Sequence, residues 1–310
     1  MKVHYRILTA LAAIVAASAL LAAQSGEIRR TVFISALDER GDYVGPGNFL
    51  TDLAAEDLSV KEGGKERAIV GVEPTQDRLK IAVAIEEILV PDRMLRLDLS
   101  RFIQRIQAYG DVALYLIGRT AERRADYTAD LSPLITAINM LPPRAVNVGN
   151  FVESVHEIAR NQRTLEGRRV MVVLAVELSE TSGTNANVVL NELRATGSSL
   201  FAVTFPGPIT PAERSEATSA GRLLALEKQA ASFERDRIFT DATKESGGLL
   251  VPTHRFGGHL GALERVVMEL RSEYALTYTL PPGTKSDGKV SISSKRRGVS
   301  IRYPRQLPRL

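Results

Sequence analysis

Each familiar catalytic or metal-binding arrangement in this 310-residue chain breaks at a position its chemistry requires. His156-Glu157-Ile158-Ala159-Arg160 opens like a zinc-protease helix, in which two imidazoles one turn apart hold the ion and the glutamate activates water. Arg160 stands where the second imidazole belongs, so the motif fails and His156 is expected on a helix surface. His254 and His259 flank Arg255-Phe256-Gly257-Gly258, a spacing diagnostic of no metal, and the chain has no cysteine to complete a set. The two glycines are expected to turn the chain ahead of its last helix. A Gly-x-Ser-x-Gly elbow and a Walker-type phosphate loop are both absent from the sequence. No residue pattern supports an enzyme, and no cofactor is expected.

The elements available to position a site fall into two kinds. From Arg30 to about Gln76 the pattern is β-like: Thr31 to Leu37, then Asp57 to Lys61, a Glu62-Gly63-Gly64-Lys65 hairpin signal, and a return through Ala68 to Val72. From about Arg78 continuous apolar runs alternate with helical patterns. Strands are expected at Ile81–Ile85, Val112–Ile117, Val170–Val176, Leu200–Phe205, Leu249–Val251 and Tyr274–Leu280. Runs apolar throughout suit strands covered on both faces. Leu95, Leu99, Phe102, Ile103 and Ile106 define one amphipathic helix; Phe151, Val152, Val155, Ile158 and Ala159 define a second, and Leu260, Leu263, Val266, Val267 and Leu270 a third. Helices also fit Ser132–Met140, Asn187–Leu193 and Leu223–Phe233. Such alternation predicts right-handed crossovers and a mostly parallel α/β sheet. Two further short strands, Lys289–Ser293 and Val299–Tyr303, are expected to form a C-terminal hairpin that pairs with the N-terminal β unit.

The expected organisation is a signal peptide over 1–25, a β unit over 26–77, an α/β domain over 78–281 and a basic hairpin and tail over 282–310. The signal reading rests on Lys2 and Arg6 ahead of an apolar run from Ile7 to Leu21, closed by Ala22 and Ala23. A spanning helix needs roughly 20 apolar residues, so cleavage near Ala23 to Ser25 is expected, a retained anchor being the alternative. Without cysteines, stability must come from core packing. Residues 285–310 carry eight cations against the single acid Asp287. Nucleic acid is not expected as a partner of an exported protein, whereas Lys295, Arg296 and Arg297 offer a contact for an anionic surface or an acidic protein.

Three segments carry a resemblance: the strand-turn Leu53 to Lys65, the strand entry Gly167-Arg168-Arg169-Val170-Met171-Val172-Val173-Leu174, and the helix-to-strand turn Leu270 to Tyr278 followed by Lys295-Arg296-Arg297. Together they resemble the exported von Willebrand factor type A-related proteins of acidobacteria-like genomes. The resemblance implies a Rossmann-like sheet that holds a divalent cation at the carboxyl end of its first strand, with an Asp-x-Ser-x-Ser run joined by a Thr and an Asp from later loops. Here Glu86 takes the Asp position, and Ile88 and Val90 replace both serines. Asn147-Val148-Gly149-Asn150 stands where the Thr would be, and Val176-Glu177 where the second Asp would be. Asp57, Asp98 and Asp130 each begin an Asp-x-Ser, but none has a hydroxyl at the fifth position. The site at Glu86, Ile88, Val90, Gly149 and Glu177 is therefore expected to be degenerate and to hold no metal.

The resulting expectation is an exported, metal-independent protein-binding or scaffolding module of the envelope or secreted space. One alternative is a metal-dependent adhesion module in which Glu86, Glu87, Glu177 and Glu180 gather into a different oxygen site, as opposed to being solvated loop acids. The other is a hydrolase using the same acidic edge.

Overall fold

A computed structural model describes residues 27–39, 48–142, 150–176, 183–206, 232–253 and 258–309. The expected signal segment, and most of the expected helix at Leu223–Phe233, lie outside them.

The central sheet has six strands: β5 (Leu79–Glu86), β6 (Gly110–Ile117), β7 (Ala121–Thr128), β8 (Arg168–Val176), β9 (Ser199–Phe205) and β10 (Leu250–Pro252). They lie in the order β10-β9-β8-β5-β6-β7, parallel except for the antiparallel edge strand β7. Numbered from the first strand of this sheet, the order is 3-2-1-4-5-6, that of a doubly wound fold.

Alternation along β5 explains why both faces are covered. Ile81, Val83 and Ile85 point into one core, beneath α1 (Arg93–Ile106), α2 (Leu131–Asn139) and α5 (His259–Arg271). Ala82 and Ala84 point into the other, beneath α3 (Phe151–Asn161), α4 (Ala186–Thr196) and the helical stretch 232–245. Helix α1 starts where the Asp92 carboxylate accepts from Met94 N at 2.8 Å and Leu95 N at 3.3 Å, satisfying amides left without helical partners. Helix α4 ends at Gly197, whose φ of 67° lies in the left-handed region that favours glycine.

The remaining strands are β1 (Ile28–Asp38), β2 (Leu58–Glu62), β3 (Lys65–Arg67), β4 (Ile69–Pro74), β11 (Glu273–Leu280), β12 (Val290–Ser294) and β13 (Val299–Arg302). They form a four-stranded sheet, β13-β1-β11-β4, and a three-stranded sheet, β12-β2-β3, around a core that includes Val32, Ile34, Leu58, Val60, Leu276, Tyr278 and Ile292. The N-terminal strand β1 and the C-terminal strands thus meet in one β unit, as the sequence predicts, with two differences. The strand at Tyr274–Leu280 belongs to this unit and not to the α/β sheet, because it pairs with β1 and β4. Strands β12 and β13 do not pair as a hairpin: β12 joins β2 and β13 joins β1, so the basic turn between them crosses from one sheet to the other.

Glu62, fully buried in this core, accepts from Arg30 Nη1 at 2.7 Å and from the hydroxyls of Tyr278 and Ser286. Burial, with that carboxylate alongside, pushes the Tyr278 phenol well above its ordinary pKa.

The β unit docks against the amino-terminal edge of the central sheet. Arg168, the first residue of β8, is paired with Glu273 at 2.5 Å and lies over the Phe33 ring at 4.1 Å. Burial raises the Glu273 carboxyl above its usual range against the pull of Arg168. Arg302 of β13 pairs with the buried Glu269 of α5 at 2.5 Å. The carboxyl edge of the sheet is left facing away from the β unit.

Candidate functional site

In a doubly wound sheet ligands bind outside the carboxyl ends of the strands, where the winding direction reverses. Here that crevice lies at the ends of β5 and β8, at Glu86 and Val176. Glu86 is the last residue of β5, and a short 3-10 turn, Glu87–Leu89, follows it.

An arginine reaches into this crevice. Arg235, from the helical stretch that precedes a π-turn at Ile238–Ala242, donates through Nη2 to Glu86 Oε2 at 2.6 Å and to the Val176 carbonyl at 2.5 Å. The amide of Val176 donates to the same Glu86 oxygen at 2.6 Å. The guanidinium lies 4.2 Å from the Phe151 ring centroid and 5.4 Å from that of Phe239. Both charged side chains are sealed from water, with 2% of Arg235 and 6% of Glu86 exposed. At this depth an unpaired charge would be very costly, so each ion fixes the other.

These contacts bear on both readings of the acids. Glu86 and Glu87 are buried, which is not the environment of solvated loop acids. Nor is Glu86 offered to a cation from solution, since its carboxylate already accepts from a guanidinium and a backbone amide. Val90 is buried and Ile88 packs against the core, and neither side chain supplies an oxygen. Gly149, Glu177 and Glu180 lie outside the described residues. Among the described residues no group of three metal-ligating side chains comes together. Among the described residues, the donors at this edge are too few for a hard divalent cation, which needs several oxygens.

The three other Asp-x-Ser aspartates have local partners. Asp130 accepts from Ser132 N at 2.9 Å at the start of α2. Asp98 is buried on α1 beside Arg101 at 3.4 Å. Asp57 pairs with Arg296 at 2.6 Å. His156 is half-buried on α3, and His254 lies outside the described residues. His259 is buried at the start of α5, with Nε2 3.4 Å from Asp92 Oδ2, Nδ1 3.8 Å from Asp98 Oδ2 and its ring 5.2 Å from Phe205. Sequence reasoning missed both Arg235 and this contact. Arg235 sits in a charged stretch with no local sign of burial, and only the buried carboxylate opposite identifies its role.

The three basic residues of the C-terminal turn are not equivalent. Lys295 and Arg297 are exposed. Arg296 folds back onto Asp57 at 2.6 Å and Asp52 at 3.0 Å and donates to the Asp52 carbonyl at 2.9 Å. Its hydrogen bond holds the Asp57 carboxyl below the usual carboxylate range. A depressed carboxylate stabilises the fold above its unfolded pKa, and that contribution is lost as pH falls through the folded value. Arg296→Ser should therefore lower the melting temperature at pH 7, with the gap to the parent closing as pH drops below about 4. Arg297→Ser should leave it unchanged; thermal melts across that pH range provide the check.

No family model matches this sequence, and no curated protein does. Among solved structures it is similar to an aerotolerance-related membrane protein from Bacteroides fragilis, at 15% identity and a TM-score of 0.41 over 62% of this chain and 98% of that one. It is also similar to the vWF domain of the type V pili tip protein Mfa5 from Porphyromonas gingivalis, at 16% identity and a TM-score of 0.30 over 37% of this chain and 49% of that one. A third is proximal thread matrix protein 1 from the mussel byssus with a zinc-occupied MIDAS motif, at 12% identity and a TM-score of 0.44 over 68% and 49% of the two chains. The fold assignment rests on the sheet itself: its doubly wound order, its antiparallel edge strand and its helices on both faces make the central domain a Rossmann-like α/β fold.

Proposed function

We propose that this chain is an exported, non-enzymatic protein-binding or scaffolding module of the cell envelope or secreted space, and that it works without a metal ion. One observation carries the reading. At the switch point, where the resemblance implies a metal ion, the Arg235 guanidinium donates to Glu86 and to the Val176 carbonyl. A fixed positive charge of the chain itself thus does the electrostatic work of a bound cation, and Ile88 and Val90 replace the hydroxyls a cation would need. Export rests on the basic, apolar and small-residue order at the N-terminus. The non-enzymatic reading follows from the lack of a nucleophile, base or metal set in the sequence.

Isothermal titration of the purified protein with Mg2+, Ca2+ and Mn2+ is expected to show no stoichiometric site, and none of the three should raise the melting temperature. A ligand that binds only the folded state must raise it. A saturable site with a Kd in the micromolar range would overturn metal independence and restore the adhesion alternative.

A further inference from the structure

We infer that the groove between the β unit and the α/β domain binds an extended, acidic polypeptide segment by strand addition along β13. The groove has a volume of about 380 Å³. Among the described residues its charged lining is Lys244, Arg302 and Arg305, with no carboxylate. Arg302 is committed to Glu269. Lys244 and Arg305 are exposed, and among the described residues neither has an ion-pair partner. Arg305 is instead held over the Tyr303 ring at 4.6 Å and donates to its hydroxyl at 2.6 Å, which fixes the direction of its charge. Two uncompensated cations on a groove free of acids complement an anionic occupant.

Backbone geometry specifies the form of that occupant. Among the described residues strand β13 is an edge of its sheet, paired only with β1. Hydrogen-bonding residues alternate along an antiparallel pair. Glu39 N donates to the Gly298 carbonyl at 2.7 Å, so in the same register Ser300 and Arg302 direct their backbone groups to β1. Val299 and Ile301 then turn their N–H and C=O away from it, toward an open edge. Leu37 and Ser300 are opposed in the register and both line the groove, so an added strand would find an apolar and a polar contact on the same face. An extended peptide satisfies exposed strand groups with its own backbone, while its alternate side chains reach the groove. Alternating acidic and apolar residues would bring carboxylates to Lys244 and Arg305.

This inference rests on the binding-module reading but uses residues remote from Glu86 and Arg235, so its failure leaves the metal titration above untouched. The test is fluorescence anisotropy of the full chain with a labelled peptide of about eight alternating Glu and Val residues, a usual strand length. Saturable binding is expected, weakening at least about tenfold in Lys244→Ser/Arg305→Ser and falling as salt rises. The Lys-Val peptide should not bind. A Glu-Pro peptide, with half its amide donors removed, should bind at least about tenfold more weakly. A parent-like melting temperature shows that the variant is folded. Absence of saturable Glu-Val binding, equal binding by the variant, or equal binding of the Glu-Pro peptide would each overturn the inference, as would full displacement by millimolar inorganic phosphate, which marks a simple anion site.

Discussion

Arg235→Ala is expected to destabilise the protein by about 3 to 5 kcal/mol, the range for removing one partner of a buried ion pair. The substitution leaves Glu86 buried with the Val176 amide as its remaining contact among those described above, and its negative charge no longer has a counterion. It also empties the space beside Phe151 and Phe239, where a desolvated guanidinium over an aromatic face contributes about 2 kcal/mol. The loss should appear as a lower urea midpoint with an unchanged slope, because the surface exposed on unfolding is nearly the same. Glu86→Ala should cost a similar amount for the mirror-image reason, a buried cation without its anion. The double variant Glu86→Leu/Arg235→Met replaces the pair by apolar groups of similar size and should recover most of the stability, since such replacements are often neutral or better. An Arg235→Ala midpoint within error of the parent would mean that water reaches the pair and that the crevice is open. Double-mutant additivity would carry the same meaning, since partners in one buried contact must couple.

The sequence discloses the central sheet but not what closes its crevice. Strands β5, β6, β8 and β9 are runs of Val, Ile, Leu and Ala buried on both faces, and only a covered parallel sheet tolerates such runs. Strand β7 carries no strand signal, because Ala121-Glu122-Arg123-Arg124-Ala125-Asp126 is polar almost throughout. Charge is what an edge strand needs to avoid pairing with other chains. Strand β11 reads as a strand in the sequence, but it pairs with β1 and β4 and not within the α/β sheet. Its inward residues Tyr274, Leu276, Tyr278 and Leu280 are buried while Ala275, Thr277 and Thr279 are half-exposed, the one-sided alternation of an antiparallel sheet. That contrast with the uniformly apolar runs was present in the sequence. The position of Glu86 at the end of the first strand could also be read locally. Its partner could not: Arg235 lies 149 residues away, and no periodicity links two such positions.

Deleting residues 284–310 is expected to unfold the β unit, not merely trim a tail. The deletion removes β12 from the edge of β2 and β13 from the edge of β1, so each sheet loses a strand and exposes unpaired backbone groups. It also takes Val290, Ile292, Tyr303 and Leu307 out of the β-unit core, where none is more than 8% exposed. At roughly 1.5 to 3 kcal/mol for each large apolar side chain, the loss is of the order of the whole stability of an ordinary domain, about 5 to 15 kcal/mol. A third effect reaches the α/β domain. Arg302 goes with the deleted segment and leaves Glu269 of α5, fully buried, without its cation. The truncated chain should therefore elute as aggregate on size exclusion, lose its cooperative melt and bind a dye for exposed apolar surface. Arg302→Met in the full chain separates the electrostatic contribution from the strand contribution. It should remain monomeric and lose stability through Glu269 alone, in the range of about 3 to 5 kcal/mol for a stranded buried charge. A truncated protein that stays monomeric and melts at the parent temperature would show that β1 and β2 hold their sheets without the C-terminal strands, contrary to the pairing described here.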